Sequence, residues 1–347
     1  MSRRIAVLTL ALCAALPAAA QAAPTSTPHP YRDRVQARAA QAGNTSISVP
    51  LTEGGAIQVS FTPAVGTQPD LAQQYVTFLE SLPHGSELGD LKLLIATPDE
   101  VNSDCGGTGD GDGEVLGCYG KNEMIVPSTG LDTPTAVGSY TVRYVLTHEY
   151  GHHIAAHRKN EMGNGLGALD NGPTYWASYE LVCEKTAENK LFPTAETNFD
   201  QYLRNPGEAW AETYARLVYP DQPWTWTSLL KPDAGALAAA RKDVLDPWTK
   251  NVTKTFTMKA GRNAQAFDVT LTLDGTLKAS ATGPKGSHVT VKLTSDGSKV
   301  PMQHGANTHT WSLAGGCREK QDDTATFHVQ RQGGTPGPVT LKVTYAG

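Results

Sequence analysis

The sequence predicts an α+β chain in two parts: a mixed region of helices and strands over residues 46–250, then a small all-β sandwich over residues 252–347. Between residues 69 and 248, apolar residues recur at helical spacing in several segments. Short apolar runs bounded by turn residues lie among them. Past residue 252 the helical period stops. Seven alternating runs follow, each bounded by Gly, Asp or Pro.

Residues 1–22 read as a secretory signal peptide. Arg3 and Arg4 form a positive head, Ile5 to Leu16 a short apolar core, and Ala20-Gln21-Ala22 a small-x-small cleavage site. The apolar run is too short for a membrane anchor. Leu12 precedes Cys13 where a lipid-attachment motif requires a small residue. The mature chain is therefore expected to be secreted, extracellular or periplasmic, with no membrane segment after cleavage. Cleavage removes two of 29 basic residues against 34 acidic ones, so the net charge moves from -5 to -7. That sign argues against nucleic acid as the main partner. Residues 23–45, rich in Pro, Ala, Ser, Thr and Gln, read as a loose amino-terminal segment.

"SISVPLTEGGAIQVSFTP" alternates on either side of Gly54-Gly55 and predicts a hairpin. "PDLAQQYVTFLESLP" carries Leu71, Tyr75, Phe78 and Leu79 at helical intervals, and "LKLLIAT" reads as a buried strand. "SDCGGTGDGDGEVLGCYG" is a glycine-rich acidic loop. Its Asp104, Asp110, Asp112 and Glu114 could hold Ca2+ through oxygen ligands, although the full EF-hand spacing is missing and a solvated loop is the competing reading. "CYGKNEMIVP", Cys118 to Pro127, reads as one strand. Val142, Val145, Leu146 and Ile154 put the next stretch on a helix. "TYWASYELVCEKTAENK", "PGEAWAETYARLVY" and "AGALAAARKDVLDPW" complete the helical segments.

Once Cys13 leaves with the signal, Cys105, Cys118, Cys183 and Cys317 remain. An even number in an exported chain suggests two disulfides. Cys105–Cys118 closes a short loop and is the favoured pair, which leaves Cys183–Cys317.

The chemistry concentrates in "VLTHEYGHHIAAH". At 100° per residue, His148 and His152 project from one helix face and can bind one ion. Glu149 lies about 60° from His152 and about 100° from His148 on the wheel, so its carboxylate reaches a metal-bound water rather than the metal. Zinc lowers that water's pKa to about 7, and the carboxylate can take its proton. A solvated histidine-rich helix is the competing reading. His153 and His157 lie further round the helix and read as flanking or surface residues.

A catalytic zinc takes three protein ligands and keeps one position open. A third histidine in the metzincin spacing would fall at Arg158, with glycine at Ala155, so that pattern fails. The better candidate is "NPGEAWAETYARL", where Glu208 and Glu212 share a helix face. One carboxylate can ligate and the other can accept a ligating histidine's free N–H. Asp170 is an alternative ligand, but Tyr175 falls five residues after it, not the three that aspartate-ligated zincins use.

HEYGH with a downstream E-x-x-x-E helix resembles the gluzincin class of zinc metallopeptidases. "GEAWAETYARL" is especially similar to the corresponding helix of the anthrax lethal factor-type catalytic domain. The resemblance implies a zincin-like metallopeptidase domain over 46–250. In it Glu208 would ligate zinc, Glu212 would support a ligating histidine and Tyr202 would stabilise the oxyanion, with His153 as another possible donor. It covers the two motif helices and not the carboxy-terminal part. In such enzymes an edge strand pairs with extended substrate, a role open to Cys118–Pro127.

The expected function is a secreted zinc endopeptidase acting on a protein or peptide substrate. The alternative is a zinc-binding interaction or effector module with little turnover. Trp224 and Trp226 could line a specificity pocket or pack on the motif helices. The β-rich end resembles the sandwich domains appended to secreted bacterial peptidases and reads as an accessory. Oligomeric state is open.

Overall fold

The protein is described from a computed structural model covering residues 43–347, except 107–114, 137, 139, 196–197, 296–298, 301–304, 307, 319 and 321–322. The expected signal peptide lies outside these residues. So do three of the four residues of the expected calcium loop; only Asp104 is described, at the end of a helix.

Strands β1 (Thr45–Pro50) and β2 (Ala56–Phe61) form the hairpin expected around Gly54-Gly55. Both glycines have positive φ, 96° and 86°, which a residue with a Cβ adopts only at a cost. Helix α1 (Pro69–Ser81) starts on proline and buries Tyr75, Val76, Phe78 and Leu79. Strand β3 (Lys92–Ala96) pairs parallel to β2.

Helix α2 (Pro98–Asp104) was not signalled by periodicity. Its capping box was there to be read: Glu100 N donates to Thr97 Oγ1 at 3.3 Å, and Thr97 N donates to Glu100 Oε2 at 2.9 Å.

The single strand expected over Cys118–Pro127 is a hairpin, β4 (Cys118–Gly120) and β5 (Glu123–Pro127). Lys121 and Asn122 make its turn, both with positive φ, 51° and 63°. Two-residue hairpin turns need that geometry. Asn tolerates it, but Lys gives no such signal, so the break is easily read through.

The sheet order is β1-β2-β3-β5-β4, with β3 and β5 parallel and β4 at the edge. Parity divides its core. Leu93, Ile95, Met124 and Val126 join the large cluster with α1, whereas Leu94, Ala96 and Ile125 pack with Val101 and Cys105 beside α2. Burial on both faces explains why "LKLLIAT" is almost continuously apolar.

Helix α3 (Val142–Ala156) begins at Thr141, whose hydroxyl accepts from Tyr144 N. It is followed by α4 (Ala168–Asn171), α5 (Thr174–Tyr179), α6 (Val182–Ala187), α7 (Phe199–Tyr202), α8 (Pro206–Val218) and α9 (Ala234–Leu245). The helical segment expected over Thr174–Lys190 is two helices, because Leu181 takes a left-handed φ of 51° between them.

From Val252 the chain builds β6 (Val252–Met258), β7 (Ala264–Leu271), β8 (Gly275–Thr282), β9 (His288–Ser295), β10 (Lys299–Val300), β11 (Gly305–Ala306), β12 (Thr308–Gly316), β13 (Asp323–Gln332) and β14 (Val339–Tyr345). They form two antiparallel sheets, β10-β9-β13-β7 with β11 on β9, and β12-β8-β14-β6. Both sheets contribute to one core, including Phe267, Val291, Phe327, Leu341 and Tyr345. The chain is thus mixed α+β with several sheets.

The two regions meet around Ser178. Asp274 N donates to Ser178 Oγ at 2.8 Å, Arg318 donates to Ser178 O, and Arg318 N donates to Asp274 Oδ1 at 2.9 Å. Trp248, Leu273 and Ala346 close a small apolar cluster with Tyr175. Cysteines pair as favoured, Cys105 with Cys118 and Cys183 with Cys317, at Cα separations of 5.8 and 5.2 Å that suit a disulfide. Among the described residues no helix is long and apolar enough to cross a membrane.

Candidate metal centre

The site is built where α3 crosses α8. Asn205 caps α8, its Oδ1 accepting from Gly207 N at 2.9 Å, and Pro206 opens the first turn. Trp210 on α8 donates its indole N–H to Gly151 O on α3 at 2.8 Å. Gly151 has no side chain to hold α8 away, and so admits this neighbouring helix.

That crossing brings Glu208 to the two histidines. Glu208 Oε2 lies 3.5 Å from His148 Nε2 and 3.6 Å from His152 Nε2. The three residues are buried, and one donor atom from each lies within 4.8 Å of the others. They form a group that could hold a metal ion. The spacing fits the purpose: bonds of about 2.0–2.1 Å in a tetrahedral shell put ligand atoms about 3.3–3.4 Å apart. At 3.5–3.6 Å the pairs are too long for good hydrogen bonds. The donor set, two imidazole nitrogens and one carboxylate oxygen, suits a borderline divalent ion and leaves a fourth position to fill.

Glu212, one turn along α8, turns to the other side of His148. Its Oε2 is 3.2 Å from His148 Nδ1, while Tyr144 OH donates to its Oε1. A carboxylate on Nδ1 fixes the tautomer that leaves Nε2 as donor to a metal. Tyr144 is a partner that the sequence reading missed. It stands four residues before His148, on the same helix face.

The charges of the cluster are mutually supportive. Burial works against the protonated His148 imidazole, but Glu208 and Glu212 raise it to about 9. Burial likewise works against the Glu208 carboxylate, but His152 and His148 hold it well below the usual carboxylate range. A metal ion entering the cluster would displace such a proton.

Glu149 is fully buried. Its Oε1 faces the backbone of Gly117, where a Cβ would stand 3.1 Å away. Gly117 thus lets the segment leading into edge strand β4 lie against this carboxylate. Tyr202 is buried beside Trp226, ring centroids 5.2 Å apart, and Trp226 stacks on His148 at 6.2 Å. Trp224 sits further out, its indole N–H on Thr227 O at 2.9 Å and Arg216 over its ring.

The remaining candidates fall elsewhere. His153 is not a surface residue: it is buried behind α3, with Nε2 2.8 Å from Glu87 O and Nδ1 3.2 Å from Tyr119 OH. Burial pushes it down to about 4, so it is neutral. Both its nitrogens are engaged, which removes it as an oxyanion donor. His157 caps the helix end through His153 O at 2.9 Å. Asp170 is partly exposed on α4 and outside the metal group.

Behind α3, Arg158 joins Glu87 at 2.9 Å and donates to the carbonyls of Asp243 and Val244. Asp243 in turn accepts from Tyr175 N at 3.0 Å and Trp176 N at 2.7 Å. This network ties the end of the motif helix to α9 and α5.

No protein-family model matches the chain, and no curated protein matches it in sequence.

Proposed function

We propose that the chain is a zinc-dependent endopeptidase of the gluzincin kind, with His148, His152 and Glu208 as metal ligands. One observation carries the reading: Glu208 from a second helix approaches both histidines of an H-E-x-x-H helix at metal-ligand spacing. The β1–β5 sheet with its edge strand, followed by the two motif helices, is consistent with a zincin-like domain. Zinc supplies, when bound, an acidified water and Lewis acidity towards a carbonyl.

The protein's own groups do the rest. Glu149 takes a proton from the attacking water and passes it to the leaving nitrogen. Glu212, steadied by Tyr144, keeps the His148 ring oriented. Edge strand β4, with Leu116 and Gly117 before it, offers backbone groups to an extended peptide, giving affinity with little sequence reading. Tyr202 is the proposed oxyanion donor, beside Trp226. Paired cysteines fit a chain that matures in an oxidising compartment, and we place it outside the cytoplasm.

The second reading, a zinc-stabilised interaction module, draws on the burial of the ligands and of Glu149. Metal analysis, with casein and peptide-library digestion before and after chelation, separates the two. Cleavage that chelator abolishes and zinc restores is expected. A chain carrying one equivalent of zinc that cleaves no peptide would leave the second reading standing.

A further inference from the structure

Beside the edge strand lies a cavity of about 190 Å3. Pro98 and Val101 of α2, Leu116, Pro127, Pro134 and Ala136 supply its apolar lining. Leu116 is shared between two places. It lines the cavity, and it also packs in the cluster of Val145, Tyr202 and Trp226 at the metal centre. The next residue, Gly117, is the one that lies against Glu149. One residue of chain, about 3.8 Å between Cα atoms, therefore separates the cavity wall from the residue touching the proposed base.

The wall is held at both ends. Val115 N donates to Asn102 Oδ1 at 2.9 Å, and Cys118 is paired with Cys105 at the end of α2. Three prolines stiffen the rim. A cavity fixed in this way costs little ordering when filled.

We propose that this cavity is a substrate side-chain subsite, and that it selects one apolar residue of leucine, methionine or phenylalanine size in the peptide lying along Leu116–Gly120. The proposal rests on the peptidase reading above. Size supports it, since an apolar cavity of about 150 Å3 takes a benzene ring. Charge supports it too. No described lining residue is a cation, and the only ionisable one is the exposed Asp99, which repels an acidic side chain. In an extended peptide alternate side chains share a face, so a residue seated here leaves its neighbour directed away from the cavity.

The test uses the full zinc-loaded chain and a library of quenched random hexapeptides, with cleavage sites read by mass spectrometry. The wild type is expected to favour Leu, Met or Phe over Ala at one fixed position by about 10-fold or more. Ala136 is exposed at the rim, so Ala136→Trp fills the cavity from outside the core, and should bring that Leu-to-Ala ratio of kcat/KM towards one. Val101→Ala enlarges the floor and should shift the preference to a larger ring. Cleavage without an apolar preference, or a preference that neither variant moves, overturns the subsite while leaving the peptidase reading intact. No cleavage by a chain with one equivalent of zinc overturns both.

Discussion

Gly151 and Ala211 touch where the two motif helices cross: a Cβ on Gly151 would stand 2.9 Å from Ala211 Cα and 3.1 Å from its carbonyl oxygen. The obstacle is backbone, so it cannot rotate away. Gly151→Ala is expected to force α3 and α8 apart and cost about 1–3 kcal/mol in urea unfolding. Because the proposed ligands sit on both helices, zinc affinity should fall in the same variant, read by competition with a chelator. An unchanged affinity would show that the crossing tolerates more slack than the contact implies.

Glu149 is separable from metal binding, since it belongs to neither the ligand group nor the Glu212 pair. Glu149→Gln should retain one equivalent of zinc and lower turnover by about 10^2–10^4-fold, the usual scale of general-base loss. Full activity in that variant would sink the proposed proton path.

The carboxylates of α8 should differ in degree. Glu208→Ala removes a proposed ligand, and the protein should lose stoichiometric zinc during dialysis; Asp170→Ala should keep it. Glu212→Gln leaves the ligand set intact but weakens the support of His148, so affinity should drop about 10–100-fold. Metal content after dialysis against graded chelator ranks all three. Zinc lost in Asp170→Ala but kept in Glu208→Ala would reassign the third ligand.

Asp243 gives the fold a pH dependence away from the metal. Burial raises its carboxyl to about 7, against two backbone N–H donors and Arg158, which pull it down. An unfolded Asp titrates near 3.9. The folded state therefore holds the proton more tightly. This contribution is complete below about pH 4 and is lost as pH rises through 7, on the order of 4 kcal/mol at most. Urea midpoints should fall for the wild type between pH 5 and 8, and Asp243→Asn should flatten that slope. Parallel slopes would place the titration elsewhere.

How legible was all this in the sequence? The period-2 runs after residue 252 correspond to seven of the observed strands, and β6, β7, β8, β9, β13 and β14 each put one face on a shared core. His148, His152 and Glu208 were legible because helical spacing and an Asn-Pro start to the second helix are local signals. What stayed hidden depends on partners distant in sequence. Tyr144 acquires its role only when Glu212 arrives from 68 residues away. Gly117 matters because Val145 and Glu149 of α3 lie against it. His153 read as a flanking or surface histidine, and Glu87 and Tyr119, 66 and 34 residues earlier, show that it is committed. The β4–β5 turn was missed for a different reason: Lys121 adopts a backbone conformation its side chain does not advertise.

The two cysteine pairs set an order of events in the life of the chain. Cys105 and Cys118 are 13 residues apart, whereas Cys183 and Cys317 are 134 apart. At about 5–20 residues per second of synthesis, Cys183 waits on the order of 7–27 s for its partner, and Cys105 less than about 3 s. The short pair can close first and take both of the earlier cysteines out of competition. Cys183 then faces one remaining mate. Fidelity of pairing is thus written into the order in which the cysteines emerge.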